Sequence, residues 1–248
     1  MVKSVGSGDH AVVCLHGWLA WSEGWGYFPE AVDGSRFTYY FPDMRGYGAR
    51  RDETGDFTMK EYAADALAAL DEAGVERFSI VGHSMGGKAG AALLALAGDD
   101  RVNAMIGIAP VSPAPFPLDD DGRRLFFDAP QQEANRRTII DFTTGSRNGA
   151  GWLDAMVANN LATSTVEAFA GAVASWADDD YLGDIGSPST AITCLVGEND
   201  PALTVEYMEA FWVQQYPNVT VETLPACGHY PMQETPVWLA TRIESILG

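Results

Sequence analysis

The sequence predicts an α/β fold, a mostly parallel central sheet flanked by helices with a helical cap inserted over one edge. Three observations predict it. Short apolar runs ending in turns recur at residues 11–15, 78–81, 104–109 and 191–196, the first with the continuity of a strand buried on both faces, and a further strand is expected at 219–223. A strand, a sharp glycine turn and a small-residue helix follow one another without a gap at residues 78–97. Pro110, Pro113, Pro115 and Pro117 then break the chain, and helix-compatible stretches fill the space up to Gly186-Ser187-Pro188.

The first apolar run, Ala11-Val12-Val13-Cys14-Leu15, leads into His16-Gly17-Trp18. A turn there presents the backbone N–H of Trp18 beyond the strand end, and His16 is placed to hold that loop by hydrogen bonding. The second run enters Gly82-His83-Ser84-Met85-Gly86. Glycines two positions either side of a serine let the backbone pass closely enough for a strained strand-to-helix turn, which lifts Ser84 Oγ out of the sheet as a nucleophile. The same turn aims the Met85 N–H at the oxygen of any carbonyl that Ser84 attacks. Trp18 and Met85 are therefore the expected oxyanion-hole donors.

Such a nucleophile needs an acid and a histidine, in that order, at later strand ends. Of the four histidines, His10 lies in a polar N-terminal turn, His16 precedes the nucleophile and His83 sits inside the turn itself. His229 remains, in the loop Cys227-Gly228-His229-Tyr230-Pro231 after the last strand. The strand before it ends in Gly197-Glu198-Asn199-Asp200-Pro201. Asp200 is the better acid, held rigidly ahead of a proline that can open a helix, with Glu198 as runner-up; capping that helix is the competing role for Asp200. The turn after residues 104–109 carries no carboxylate.

In their order and spacing these segments resemble the α/β-hydrolase fold, in its group of single-domain esterases, haloperoxidase-like and epoxide-hydrolase-like enzymes. The resemblance rests on His16-Gly17-Trp18, Phe41-Pro42-Asp43-Met44-Arg45-Gly46-Tyr47-Gly48, the turn at Ser84, Gly197-Glu198-Asn199-Asp200 and Gly228-His229-Tyr230-Pro231-Met232-Gln233-Glu234-Thr235-Pro236. It implies a serine hydrolase with Ser84, Asp200 and His229 as catalytic triad and no cofactor or metal. Asp43 and Arg45 are implied to be structural. Epoxide hydrolases and haloalkane dehalogenases of this kind use an aspartate where this chain has Ser84, which argues against both chemistries. Carbon–carbon hydrolysis of ring-cleavage products, perhydrolase or cofactor-free haloperoxidase activity, and a non-catalytic ligand receptor are the rival readings. Only ten residues precede the first apolar run, so the sheet is expected to lack its first strand or to carry abbreviated early strands.

Residues 1–110 and 188–248 are expected to form the core and 111–187 the cap, with helices near 121–127, 131–143, 151–160 and 164–177. Active sites of such sheets lie beyond the carboxyl ends of the strands, so a cap there encloses the pocket and selects the substrate. Trp21, Phe116, Trp152 and Trp176 are candidate lining residues and favour a small apolar or aromatic ester. Arg124 and Arg137, two of five cap arginines, are candidate clamps for a substrate carboxylate; neutralising nearby acids is the competing role.

The chain has 248 residues, 47% of them apolar, enough for one domain with a large core. A net charge of −19 with only 15 lysines and arginines excludes nucleic acid and disfavours anionic membranes. No apolar run reaches the length of a membrane span and no signal-peptide core opens the chain, so a cytoplasmic monomer or homodimer is expected. Cys14, Cys194 and Cys227 are an odd set, read as buried thiols.

Overall fold

A computed structural model describes residues 2–248. Seven strands form one sheet in the order β1-β3-β2-β4-β5-β6-β7: β1 (Lys3–Gly6), β2 (His10–Leu15), β3 (Phe37–Phe41), β4 (Phe78–His83), β5 (Val102–Ile108), β6 (Ile192–Gly197) and β7 (Val219–Leu224). Only β1 runs antiparallel, against β3; the other pairs are parallel. Strands β2, β4, β5 and β6 are almost wholly buried along their length, as both-face coverage requires. One short antiparallel strand precedes β2, in keeping with an abbreviated start. His10 opens β2 instead of lying in a turn, and its Nε2 pairs with Ser79 Oγ at 2.8 Å.

Helices α2 (Met59–Glu72) and α3 (Met85–Ala97) pack together on the sheet, while α1 (Phe28–Ala31) packs on the C-terminal helix (Pro236–Leu247). Helix α2 starts at Thr58, whose hydroxyl accepts the Glu61 N–H, and buries Met59, Tyr62, Ala63, Ala66 and Leu70 at helical spacing. Between β5 and β6 lie α4 (Asp120–Asp128), α5 (Glu133–Thr143), α6 (Ala150–Thr163), α7 (Val166–Asp178) and α8 (Leu182–Ile185). The first four have the predicted helical character. Helix α8, also within 111–187, packs on α3.

Register brings the chemistry to one edge. Leu15 pairs with Gly82 and Gly82 with Gly107, so β2, β4 and β5 end level, and β6 and β7 end together at Gly197 and Leu224. The loops bearing Trp18, Ser84, Asp200 and His229 all leave from these carboxyl ends. Among the described residues no helix is long and apolar enough to cross a membrane.

Candidate active site

Ser84 sits between β4 and α3 with φ 54° and ψ −118°, a conformation rare for a residue with a Cβ. The surrounding glycines explain how the chain tolerates it. A Cβ on Gly82 would lie 2.3 Å from the carbonyl oxygen of Gly86, and one on Gly86 would lie 2.2 Å from that of Leu15. The turn is tied down by Ser84 N–H donating to Ile108 O, and by Gly87 and Val111 N–H both donating to Ser84 O. The strain is therefore held by bonds on either side.

The loop after β2 lies directly against this turn: a Cβ on Gly17 would fall 2.5 Å from His83 Nδ1 and 3.3 Å from Ser84 Cβ. His16 braces the loop, accepting the Met44 N–H at Nε2 and donating from Nδ1 to Gly17 O at 2.9 Å. Trp18 is pinned by its indole N–H, which donates to Phe169 O, and by stacking on the Phe169 ring at 3.9 Å. The Met85 N–H, at the first position of α3, precedes the first intrahelical hydrogen bond. Among the described residues the Trp18 N–H has no protein acceptor.

His229 Nδ1 and Asp200 Oδ2 are 2.6 Å apart, with both side chains buried. Asp200 Oδ1 meanwhile accepts the Ala202 and Leu203 N–H groups. Each oxygen thus takes one of the two roles the sequence offered, orientation of the histidine and capping of the following turn. Glu198 faces outward, accepting the Ala226 N–H, and does not reach His229. The histidine loop is splinted by Glu234, which accepts the Gly228 and Tyr230 N–H groups, and by His229 N–H donating to Thr143 O on α5.

Burial holds the imidazoles of His16 and His83 below the ordinary histidine range, His83 further lowered by the neighbouring His229. His83 donates from Nε2 to His229 O at 2.8 Å and serves as a neutral strut. Both rings bind protons less readily in the fold than in the unfolded chain, which takes them up as the pH falls below ~6.5. Their contribution to stability is present above that pH and is lost as acid is added, by up to ~1.4 kcal/mol per pH unit for each ring. Thermal unfolding should accordingly shift to lower temperature between pH 7 and pH 5, and a flat profile there would contradict neutral burial of these rings.

Ser84 and His229 open on one chamber of about 50 Å³ lined by Trp18, Leu19, His83, Val111, Phe116, Phe126, Ile139, Thr143, Trp176, Ala202, Leu203 and Tyr230. Of the sequence-predicted lining residues, Phe116 and Trp176 are here. Trp21 is not, because the loop after β2 turns it into a separate groove beside Asp43. Trp152 packs edge-on behind Tyr230 at 6.0 Å, one layer out. Arg124 and Arg137 are exposed and paired with Asp121 and Asp154, so neither reaches the chamber. Arg136 is the buried cap arginine, and its guanidinium donates to Ala129 O, Pro130 O and Asn160 Oδ1 over the Phe169 ring. Aromatic density in the sequence marks Phe116 and Trp176 but not the aliphatic lining residues Leu19, Val111, Ile139 and Leu203. Their position just beyond strand ends or on the inner stripe of α5 was the available clue. All three thiols are buried.

The family model for the alpha/beta hydrolase fold matches residues 10–236, nearly the whole chain. The chain belongs to the α/β-hydrolase fold family. Among curated proteins it is 30% identical over 141 residues to epoxide hydrolase 3 of Siraitia grosvenorii, a stretch covering 51% of this chain and 41% of that protein. It thus spans less than half of that relative. A bromoperoxidase from Bacillus anthracis superposes with a TM-score of 0.86 at 18% identity, covering 99% of this chain and 94% of that one. An esterase from Exiguobacterium antarcticum does so with a TM-score of 0.86 at 17% identity and the same coverage. At these identities the likeness is one of fold.

Proposed function

We propose that this α/β-hydrolase-fold protein is a serine esterase acting on carboxylic esters with short apolar acyl groups. The observation that carries the reading is the opening of Ser84 and the Asp200-oriented His229 on one small, mostly apolar chamber. With Nδ1–H held by Asp200, the neutral imidazole keeps an acceptor at Nε2. Ser84 Oγ attacks the acyl carbon while Nε2 takes its proton. The tetrahedral oxyanion is held by the Trp18 and Met85 N–H groups, and its collapse breaks the bond to the alcohol, which leaves with the imidazolium proton. Water, deprotonated by the same nitrogen, then releases the acid and restores Ser84.

Serine at the apex also weighs against epoxide opening. An alkoxide that opens an epoxide leaves an ether, which water does not cleave; an acylated serine is an ester, which it does. The relative named as an epoxide hydrolase therefore does not extend its chemistry to this chain.

The chamber supports the acyl limit. A chamber of about 50 Å³ walled mostly by apolar side chains favours a short acyl group over a long one. On p-nitrophenyl acetate, butanoate and octanoate, kcat/KM should fall by about tenfold or more from butanoate to octanoate. A fluorophosphonate should label Ser84. Preference for the octanoate, or labelling elsewhere, would remove the reading.

A further inference from the structure

Lys88 is the one charged residue in the small-residue helix α3, a single turn beyond Ser84, and it is fully buried. A buried ammonium is costly unless its donors are satisfied, and here all three are used. Nζ donates to Ala114 O and to Trp176 O, each at 3.1 Å, and to Asp179 O. These acceptors belong to the two legs of the inserted segment. Ala114 lies on the way out of β5; Trp176 and Asp179 lie at the C-terminal end of α7, where the helix dipole favours a cation. The legs are joined to each other as well, by Phe116 N–H donating to Ala177 O and Tyr181 N–H to Pro113 O.

Among the described residues Nζ bonds to carbonyls and not to a carboxylate, although Asp179, Asp180 and Asp178 favour its charge through space. The Asp179 carboxylate accepts from Ser175 Oγ and Tyr181 OH, each at 2.6 Å, and the Tyr181 ring centroid is 5.3 Å from Nζ. What Nζ fixes is backbone, and that backbone carries Phe116 and Trp176, whose rings meet edge to face at 5.7 Å and wall the chamber.

Building on the esterase reading, we propose that Lys88 is a positioning residue that sets acyl-chain selectivity. Its ammonium clamps both legs of the insertion to the helix that begins at the nucleophile, and so fixes the Phe116–Trp176 wall against which the acyl chain must end. The residue acts through the wall and touches no reacting atom.

Lys88→Met keeps length and apolar bulk but removes all three donors. Its octanoate-to-acetate ratio of kcat/KM is expected to rise about tenfold, through a lower KM for the longer ester, while amide exchange at Phe116 and Tyr181 quickens and that at Val81 and Ile106 does not. Lys88→Gln, which retains two donors on a shorter arm, should shift both readouts the same way by less, and it carries the test if the methionine variant is not recovered folded. A ratio within about threefold of the wild type overturns the proposal, as does exchange that quickens alike in the sheet. Should the wild type hydrolyse no ester at all, the esterase reading fails, and exchange at Phe116 and Tyr181 alone still decides whether the clamp exists.

Discussion

Replacing Ser84 by alanine is expected to lower ester turnover by roughly 10⁴–10⁶-fold while leaving the fold unchanged. On the esterase reading the loss is large because nucleophile, base and acid act as a unit, and without Ser84 the His229–Asp200 pair has no acyl acceptor to activate. Stability should hardly move. The turn is tied by its backbone, whose N–H and C=O are both hydrogen-bonded, and not by the side chain that is removed. Alanine keeps the Cβ and therefore the strain at φ 54°. Glycine at the same position relieves that strain, so Ser84→Gly should be equally inactive and melt no lower than the alanine variant. Turnover and circular dichroism melts on the two variants check this together; activity within 100-fold of the wild type, or loss of the folded signal, would contradict the assignment of the nucleophile.

What the sequence allowed one to read follows from where backbone geometry is demanding. Gly82, Gly86 and Gly17 each stand where a Cβ would meet another part of the site at 2.5 Å or less, so the strand ends announce themselves as glycine-bounded motifs. The Asp200 and His229 loops are legible for the same reason, since a Cβ on Gly197 would lie 2.1 Å from Gly228 O and one on Gly228 would lie 2.7 Å from Thr144 Cα. The side walls of the chamber obey no such rule. Which face of a cap helix points inward depends on how α4, α5 and α7 pack, and that is decided by contacts distant in sequence. Trp21 and Trp152 are as aromatic as Trp176, yet they lie in a neighbouring groove and behind Tyr230. Arginines at 124 and 137 found partners on their own surfaces, as exposed charges in an acidic protein do.

Lys88 shows a signal that was present and unused. Thirteen residues of α3 hold one charge amid glycine, alanine, leucine and methionine. A lone cation in a segment that must be buried demands acceptors. Its three carbonyls come from residues 26, 88 and 91 positions further along the chain, so the demand was visible while the partners were not.

Asp200→Asn should lower kcat/KM by about 10⁴-fold with little loss of stability. The amide oxygen of asparagine can still accept the Ala202 and Leu203 N–H groups that Asp200 Oδ1 accepts, so the turn keeps its cap. The other atom becomes an NH₂ facing His229 Nδ1, where Asp200 Oδ2 now stands at 2.6 Å. A donor there makes Nδ1 the acceptor and moves the ring proton to Nε2, the nitrogen that must receive the proton of Ser84. The imidazole is held in place in the wrong tautomer. Alanine at 200 would remove the cap as well, at a cost of about 1 kcal/mol, which separates the structural part of the residue from its catalytic part. Kinetics on p-nitrophenyl butanoate and thermal melts of both variants measure the two parts. A fall of less than 100-fold for the asparagine variant would transfer the acid role away from Asp200. Glu198 would be the next residue to replace, although its carboxylate is committed to the Ala226 N–H on the outer side of the loop.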